Sequence, residues 1–267
     1  MPRFGKGRLH SPKIQKSLVA RMLLKIFGNM EITSSHFHFM RNVRRLKKKY
    51  DFKRILDAGS GNGDYAFWVA ERFPDVSIDA CDVSEDSINL CKNAQKKLGL
   101  GNIDYIQMDL REFIRPGTYD FIYSNHVLEH IPENLDVIKK LVTSLKPGGY
   151  IYIQLPDADQ KRLDWGEKYM EEHKKWADKE HIGLTLNLKS LSGALRESGC
   201  EIIRAKHTEG VLGEISFKLG EMARSYYRSN AVFALMLPFL KIIGYLDSLM
   251  DYKSASGILV LARKTND

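Results

Sequence analysis

Cysteine is scarce in this chain, with three among 267 residues. Cys81, Cys91 and Cys200 lie far apart, and no two of them form a C-x-x-C pair. This spacing excludes a disulfide framework, a zinc knuckle and a cysteine-held iron–sulfur cluster. We therefore expect three reduced thiols in a cytoplasmic protein.

Long apolar runs are also missing. The longest, residues 231–246, is interrupted by Pro238 and Lys241 and is too short to span a bilayer. The sequence therefore predicts no transmembrane helix, and we expect no secretory leader. Apolar residues still make up 43% of the chain, enough for the core of one large α/β domain.

Acidic residues are nearly absent from the first fifty positions. Residues 1–50 contain 13 lysines and arginines against one acid, a net charge of +12, whereas the other 217 residues have 28 against 32, a net charge of −4. The basic character therefore belongs to an N-terminal arm. Such an arm can contact phosphate, an anionic membrane face or an acidic substrate, and a solvated helical face is the plain alternative.

Two helices are predicted within this arm. Residues 11–30 form a basic amphipathic helix, because apolar residues recur every four positions at Ile14, Leu18, Met22 and Ile26. A second helix begins near Ser34 or Ser35, either of which suits an N-cap, and continues to the lysines at 47–49. We expect residues 1–50 to act as a helical arm or lid beside a domain formed by residues 51–267.

From residue 51 onward, short apolar strands alternate with amphipathic helices. The predicted strands are 54–57, 76–81, 103–108, 119–123, 150–155, 201–205 and 258–262, and the predicted helices are 65–72, 85–98, 135–145 and 188–198. Regular β-α alternation with short connections indicates a parallel sheet with helices on both faces. We therefore predict an α/β, Rossmann-like, doubly wound and mostly parallel seven-stranded sheet.

Two segments depart from this alternation. Residues 157–185 are charged and helical in pattern, which suggests a lid. Residues 206–256 form a predicted helical insertion before the last strand, rich in Phe, Leu, Tyr and Met. Its apolar run at 231–240 must be buried, contact a partner or lie on a membrane.

A glycine-rich turn joins the first predicted strand to the next helix. Its sequence is Asp57-Ala58-Gly59-Ser60-Gly61-Asn62-Gly63. A turn of this kind exposes backbone N–H groups at a helix N-terminus, which suits an anion or a nucleotide. A dinucleotide fold would show G-x-G-x-x-G, whereas this loop reads acid-x-Gly-x-Gly-x-Gly, so its carboxylate suits the positively charged end of a ligand.

Five motifs in this order resemble the class I S-adenosylmethionine (SAM)-dependent methyltransferases, in the broad group that includes the ubiquinone and menaquinone methyltransferases. The resemblance covers residues 50–155, and its motifs are the glycine loop, Cys81-Asp82-Val83-Ser84, Met108-Asp109-Leu110, residues 119–130, and Leu145-Lys146-Pro147-Gly148-Gly149. It implies that SAM is bound by Asp57, Gly59, Gly61, Gly63, Asp82, Val83, Met108, Asp109, Leu110 and Asn125.

The resemblance also implies individual roles for these residues. Asp82 would bind both ribose hydroxyls, as carboxylates do in other doubly wound folds. Asp109 would accept a hydrogen bond from the adenine amino group, while Met108 or Leu110 would pack on the ring. Asn125 would contact the methionine part of SAM.

The methyl acceptor should bind at the carboxyl end of the fourth strand. This position offers His126, Glu129 and His130, and a base is required only if the acceptor loses a proton. We predict His126 and His130 as the candidate catalytic residues. A helix-capping or packing role for Glu129 and His130 is the plain alternative.

The same residues would share one face if they lie on a helix, because they are spaced i, i+3 and i+4. They could then hold a divalent metal, with His181 as a fourth ligand. A similar site, with Glu in place of His126, occurs in quinone O-methyltransferases and in RNA 2′-O-methyltransferases. Because a hard cation prefers more than one carboxylate, no metal is assigned.

The sequence therefore predicts methyl transfer from SAM to a small acceptor that is hydrophobic or lipid-linked, most simply at oxygen. The basic arm and the apolar insertion add an anionic membrane surface as a partner. One alternative is an RNA 2′-O-methyltransferase assisted by a metal, although no RNA-binding module is recognisable in the arm. Another is a SAM-binding protein without catalysis.

Overall fold

The computed structural model describes residues 32–160, 171, 181–223 and 230–266. The predicted helix at residues 11–30 lies outside the described residues. Nearly all of the charged segment at 159–180, the centre of the predicted lid, lies outside them as well.

A seven-stranded sheet forms the centre of the molecule. Its strands are β1 (Arg54–Ala58), β2 (Ser77–Asp82), β3 (Ile103–Gln107), β4 (Tyr119–Asn125), β5 (Leu145–Pro156), β6 (Cys200–Thr208) and β7 (Gly257–Lys264). The spatial order is β3-β2-β1-β4-β5-β7-β6, and β7 alone among these strands is antiparallel to both of its neighbours. The predicted Rossmann-like, mostly parallel sheet is confirmed.

Helices cover both faces of this sheet. They are α1 (Ser34–Lys49), α2 (Asp64–Arg72), α3 (Glu85–Leu98), α4 (Asn134–Ser144), α5 (Leu188–Glu197), α6 (Val211–Glu221) and α7 (Asn230–Leu249), with a 3₁₀ turn at Leu128–His130. Side chains of α1, α2 and α3 share one core cluster with Phe121 and Tyr123, while α4 and α5 share another with Ile122. Successive β4 residues thus point to opposite faces, as strand geometry requires.

Several predicted boundaries differ from the structure. Neither Ser34 nor Ser35 is the N-cap of α1, because Thr33 has the extended backbone of the cap residue and both serines lie within the helix. The predicted helix 135–145 ends at Ser144, since Leu145 already pairs with Tyr119. Residues 146–149 then form an irregular start of β5 between two pairs of the β4–β5 ladder.

The insertion begins later than predicted. Residues 206–208 belong to β6, because each pairs with a residue of β7 up to Thr208 and Gly257. Helices α6 and α7 then pack against each other, and α7 also packs against α1. Gly244 allows the backbone of Ile32 to approach α7 closely, because a Cβ at position 244 would lie 2.3 Å from the Ile32 carbonyl oxygen. Within the part of the chain that the structure describes, no helix combines the length and apolarity needed to cross a membrane.

Candidate active site

The glycine loop lies at the carboxyl end of β1. Gly59, Gly61 and Gly63 all have positive φ angles of 86°, 50° and 78°, a conformation that glycine adopts without strain. A Cβ on Gly59 would lie 2.4 Å from the Val127 side chain, whereas one on Gly61 would meet no described atom within 4 Å. The loop is therefore packed against the end of β4 at Gly59 and open at Gly61.

Asp82 ties this loop to the end of β2. Its Oδ2 accepts a hydrogen bond from the Gly61 N–H at 2.8 Å, and its Oδ1 accepts one from the Ser84 N–H at 2.9 Å. An ionised carboxylate has about four lone-pair sites, so both oxygens can accept further hydrogen bonds. The Asp82 carboxylate is thus held in place and can still receive two hydroxyl groups.

Asp57 is buried at the end of β1, with 2% of its surface exposed. Burial and the charge of the neighbouring Asp57 carboxylate raise the pKa of Tyr123. Tyr123 therefore stays protonated. The arrangement places a negative charge beneath the glycine loop, where a cationic ligand group would be stabilised.

An open groove continues from Asp82 along the ends of β2 and β3. It is lined by Val83, Gln107, Met108, Asp109 and Glu112. Asp109 is already engaged, because the Arg111 guanidinium lies 2.7 Å from its Oδ2 and holds the pKa of this carboxyl below its ordinary value.

Leu110 is placed differently from its neighbours in this motif. It is buried and packs in the core that α4 and α5 cover. Met108 is the member of the pair that lines the groove. Of the two residues predicted to pack on the adenine ring, only Met108 therefore has the position for that contact.

Asn125, the last residue of β4, tests whether a ligand fits here. Both polar atoms of its side-chain amide are buried, and neither has a hydrogen-bond partner among the described residues. Buried polar groups are nearly always paired, because an unpaired one destabilises the fold by about 1–3 kcal/mol. The amide is therefore suited to a ligand with a donor and an acceptor, as the amino-acid part of SAM has.

His126 follows Asn125 and has a left-handed backbone with φ of 53°. Its Nδ1 lies 3.5 Å from Glu129 Oε1, and its Nε2 lies 3.2 Å from the Ser35 hydroxyl and 3.7 Å from Glu209 Oε1. Ser35 in turn donates a hydrogen bond to Glu209. The imidazole is thus flanked by two carboxylates and a hydroxyl.

Glu209, like His126, has a positive φ, at 61°. Such backbones are uncommon outside glycine and concentrate at functional sites. Sequence reasoning missed Glu209 and assigned Ser35 to a helix cap. No local pattern could reveal their contact, since the two residues are separated by 174 positions in the chain.

His126, Glu129 and His130 do not lie on one α-helix, because His126 has a left-handed backbone and precedes the 3₁₀ turn that contains the other two. Instead, the ligand atoms of Glu129, His130 and His181 lie within 4.8 Å of one another. The His130 and His181 ring centroids are 5.0 Å apart.

Hydrogen bonds hold the backbone around Glu129, His130 and His181 in place. The Gly183 N–H donates to the Glu129 carbonyl at 2.9 Å, and the Asn134 amide donates to the Leu184 carbonyl at 2.8 Å. Glu129 Oε2 is buried and makes no hydrogen bond within the described ranges. A cavity beside it is also lined by Asp157, whose Oδ2 lies 2.9 Å from His207 Nδ1.

The doubly wound sheet has acidic residues at the ends of β1 and β2, a glycine loop after β1 and an unpaired amide at the end of β4. These features are the ones expected of the class I SAM-dependent methyltransferases. Comparison with protein families agrees. The model of the methyltransferase domain family matches residues 34–205, well over half of the chain. The chain belongs to this family, and SAM is its cofactor.

Two curated relatives match about two fifths of this chain. It is 30% identical over 111 residues to a ubiquinone biosynthesis O-methyltransferase of Acinetobacter baylyi, spanning 41% of this chain and 46% of that protein. It is 27% identical over 106 residues to a trans-aconitate 2-methyltransferase of Azoarcus sp., spanning 40% of each. The chain thus spans less than half the length of these curated relatives.

Solved structures show the same fold at lower identity. An O-methyltransferase from a trans-AT polyketide synthase of Brevibacillus brevis, in complex with S-adenosylhomocysteine, superposes with a TM-score of 0.58 and 16% identity, covering 99% of this chain and 81% of that one. Phosphoethanolamine N-methyltransferase 2 of Haemonchus contortus superposes with a TM-score of 0.56 and 19% identity, covering 80% and 49%.

Proposed function

We propose that this protein transfers the methyl group of SAM to an oxygen of a small acceptor that is apolar or lipid-linked. The observation that carries the proposal is the position of His126, held between Glu129 and Glu209 at the carboxyl end of β4. Transfer to a hydroxyl requires that a proton be removed, and a histidine within reach of the acceptor can remove it.

The donor side of the proposal rests on residues that lie around the glycine loop. Bound SAM supplies an electrophilic methyl group on a positively charged sulfonium. Asp82 would accept the ribose hydroxyls, Asn125 would bind the amino-acid end, and Asp57 would stabilise the positive charge. Val83, Met108 and Asp109 would line the adenine position in the groove beside them.

On the acceptor side, His126 would take the hydroxyl proton. The resulting imidazolium is stabilised by the carboxylates of Glu129 and Glu209, which face its two ring nitrogens. Ser35 fixes Glu209 through its hydroxyl. His130 is the second candidate base, and its proximity to His181 makes it better suited to a separate binding role.

The apolar acceptor is supported by the insertion. Its exposed large apolar side chains include Leu235, Phe239 and Ile242, which lie on α7. A surface of this kind suits a contact with lipid or with an apolar partner. A cytoplasmic location with peripheral contact to an anionic membrane belongs to the same proposal.

The test is transfer of labelled methyl groups from SAM into fractionated cell extract, with and without a chelator. We expect label in the organic phase and no effect of the chelator. Label confined to water-soluble acids or amines would contradict the apolar acceptor. SAM binding by calorimetry, combined with no label in any fraction, would instead indicate a SAM-binding protein without catalysis.

One observation favours a second candidate, an RNA 2′-O-methyltransferase assisted by a divalent metal. The group formed by Glu129, His130 and His181 has three ligand atoms close enough to hold one ion. Two imidazoles and one carboxylate suit zinc or iron(II) better than magnesium. Label in RNA that disappears on chelation and returns with added zinc would establish this function in place of the first.

A further inference from the structure

Helix α7 has two distinct faces. One is buried, with Phe233, Leu237 and Leu240 packed against Ile32 in a small core cluster. The other carries large apolar side chains that are between 46% and 76% exposed, namely Leu235, Phe239, Ile242, Leu246 and Leu249. Their spacing of four, three, four and three residues places them in one line along the helix. We call these five residues the apolar stripe.

The apolar stripe forms one continuous exposed patch on α7. Single exposed apolar residues are normal, but a contiguous patch marks a surface that meets a partner or a membrane. Helix α7 has 20 residues and contains Pro238 and Lys241. Helix α7 is not long and apolar enough to cross a membrane. A contact with lipid would therefore place α7 in the plane of the membrane surface.

Positive charge gathers at the C-terminal end of the same helix. Arg41 of α1 donates a hydrogen bond to the Ser248 carbonyl, and Phe37 packs on Tyr245 with ring centroids 5.8 Å apart. Arg45 is exposed one helical turn further along α1, which packs against α7. Burial, together with the charges of Arg45 and Arg204, lowers the pKa of Arg41. We call these three residues the arginine cluster.

We propose that α7 docks in the plane of an anionic lipid surface, with the apolar stripe entering the acyl boundary and the arginine cluster facing the headgroups. Charge complementarity favours lipid, since anionic headgroups attract cations next to an apolar helix face. A second copy of this chain would present the same exposed Arg45 beside the same apolar stripe, so the like charges would repel each other.

Docking would also orient the candidate active site. Helix α1 contributes Ser35 to that site and Arg41 to the arginine cluster. The chain that leads into α6 and α7 begins at Glu209, which faces His126. The docking surface gives the membrane contact of the proposed function its residues, and it can be tested without a methyl acceptor. Delivery of the acceptor from lipid rests on the proposed function.

The experiment is cosedimentation of the full chain with phosphatidylcholine vesicles, with and without phosphatidylserine, at low and high salt. We expect binding that requires phosphatidylserine and weakens with salt. The combined variant Leu235→Ser, Phe239→Ser and Ile242→Ser should reduce the partition coefficient by at least about tenfold, because each change removes apolar surface from the acyl boundary. Arg45→Gln with Arg204→Gln should reduce the preference for phosphatidylserine.

The matched control is Ile114→Ser, which changes an apolar side chain that is 67% exposed outside the insertion. It should leave vesicle binding unchanged. Circular dichroism and SAM binding establish that each variant is folded, and neither requires a methyl acceptor. Vesicle binding that survives the stripe variant would overturn the proposal, as would a wild-type chain that ignores vesicles and instead dimerises through α7 in sedimentation velocity.

Discussion

The two halves of the candidate active site are built in different ways. On the donor side, the Gly61 N–H and the Asp82 carboxylate are 21 residues apart in the chain, and Asp82 and Ser84 are two apart. On the acceptor side, Ser35 meets His126 across 91 residues and Glu209 across 174. The donor half is therefore a local structure at strand ends, while the acceptor half exists only once the whole chain has folded.

The halves also differ in how they adopt left-handed backbone. The donor half uses glycine at each such position of its loop, so the conformation carries no strain there. The acceptor half uses His126 and Glu209, which need their side chains and so adopt a less favourable backbone. This difference suggests that the donor half was shaped for close approach and the acceptor half for side-chain chemistry.

The largest effect is expected in the acceptor half. Replacing His126 by Asn keeps a residue that tolerates left-handed backbone but removes the proton acceptor. We expect kcat to fall by about 10²–10⁴-fold, the usual contribution of a general base. The measurement is single-turnover methyl transfer to the acceptor fraction that takes up label.

In the same variant, SAM affinity should be unchanged by calorimetry, because the donor half is assembled without His126. His130→Asn is the matched comparison and should lower kcat much less. If both variants retain full kcat, neither histidine is the base and the acceptor needs no proton removed.

The donor half should respond in the opposite way. Asp82→Asn removes the charge that would bind the ribose hydroxyls, and hydrogen bonds to charged groups contribute about 1.5–3 kcal/mol. We therefore expect SAM affinity to fall roughly 10- to 100-fold, measured by calorimetry. Asp86→Asn, an exposed acid in the first turn of α3, is the control for charge alone. An equal loss of SAM affinity in both variants would mean that Asp82 contributes only its negative charge and makes no specific contact with the ribose.

The locality of each half explains what could be predicted from the sequence. The β-α alternation and the glycine loop are set by neighbouring residues, so the strand positions and Asp57, Asp82 and Asn125 were predicted at the sheet edge where they lie. Leu110 shows the limit, because a motif position does not reveal that its side chain turns into the core. Glu209 could not be found at all, since its role depends on which distant residue it meets.

A smaller, pH-dependent effect is expected in α1, the helix that contributes Ser35 to the acceptor half. Burial, together with Lys206, Arg41 and Arg204, lowers the pKa of His38 in α1 from 6.5 to about 3. Above pH 6.5 the folded and unfolded states both hold it neutral. Below that pH the unfolded state binds the proton first, so the free energy of unfolding falls by about 1.4 kcal/mol per pH unit until the folded group titrates near pH 3.

His38 alone should therefore lower the free energy of unfolding by about 2 kcal/mol between pH 6.5 and pH 5. Urea unfolding of the wild type and of His38→Gln at pH 7 and pH 5 measures it. The variant should lose less stability than the wild type between the two values. Identical pH dependence in both proteins would show that His38 is accessible to protons in the folded state.

The smallest effect tests the strain in the acceptor half directly. At Glu209, with φ of 61°, glycine adopts the backbone freely, whereas any Cβ costs about 1–2 kcal/mol. Glu209→Gly should therefore unfold with a free energy about 1 kcal/mol higher than Glu209→Ala, measured by urea denaturation. Both variants should lose turnover, because both remove the carboxylate beside His126.

The same pair of changes at Glu201, an exposed position in β6, gives the control. Its backbone is that of a strand, where glycine destabilises by roughly 0.5–1 kcal/mol relative to alanine. The order of stability should therefore reverse between the two positions. If alanine is the more stable residue at both, the left-handed backbone of Glu209 relaxes when its side chain is lost, and the contact with Ser35 and His126 is what holds it in that conformation.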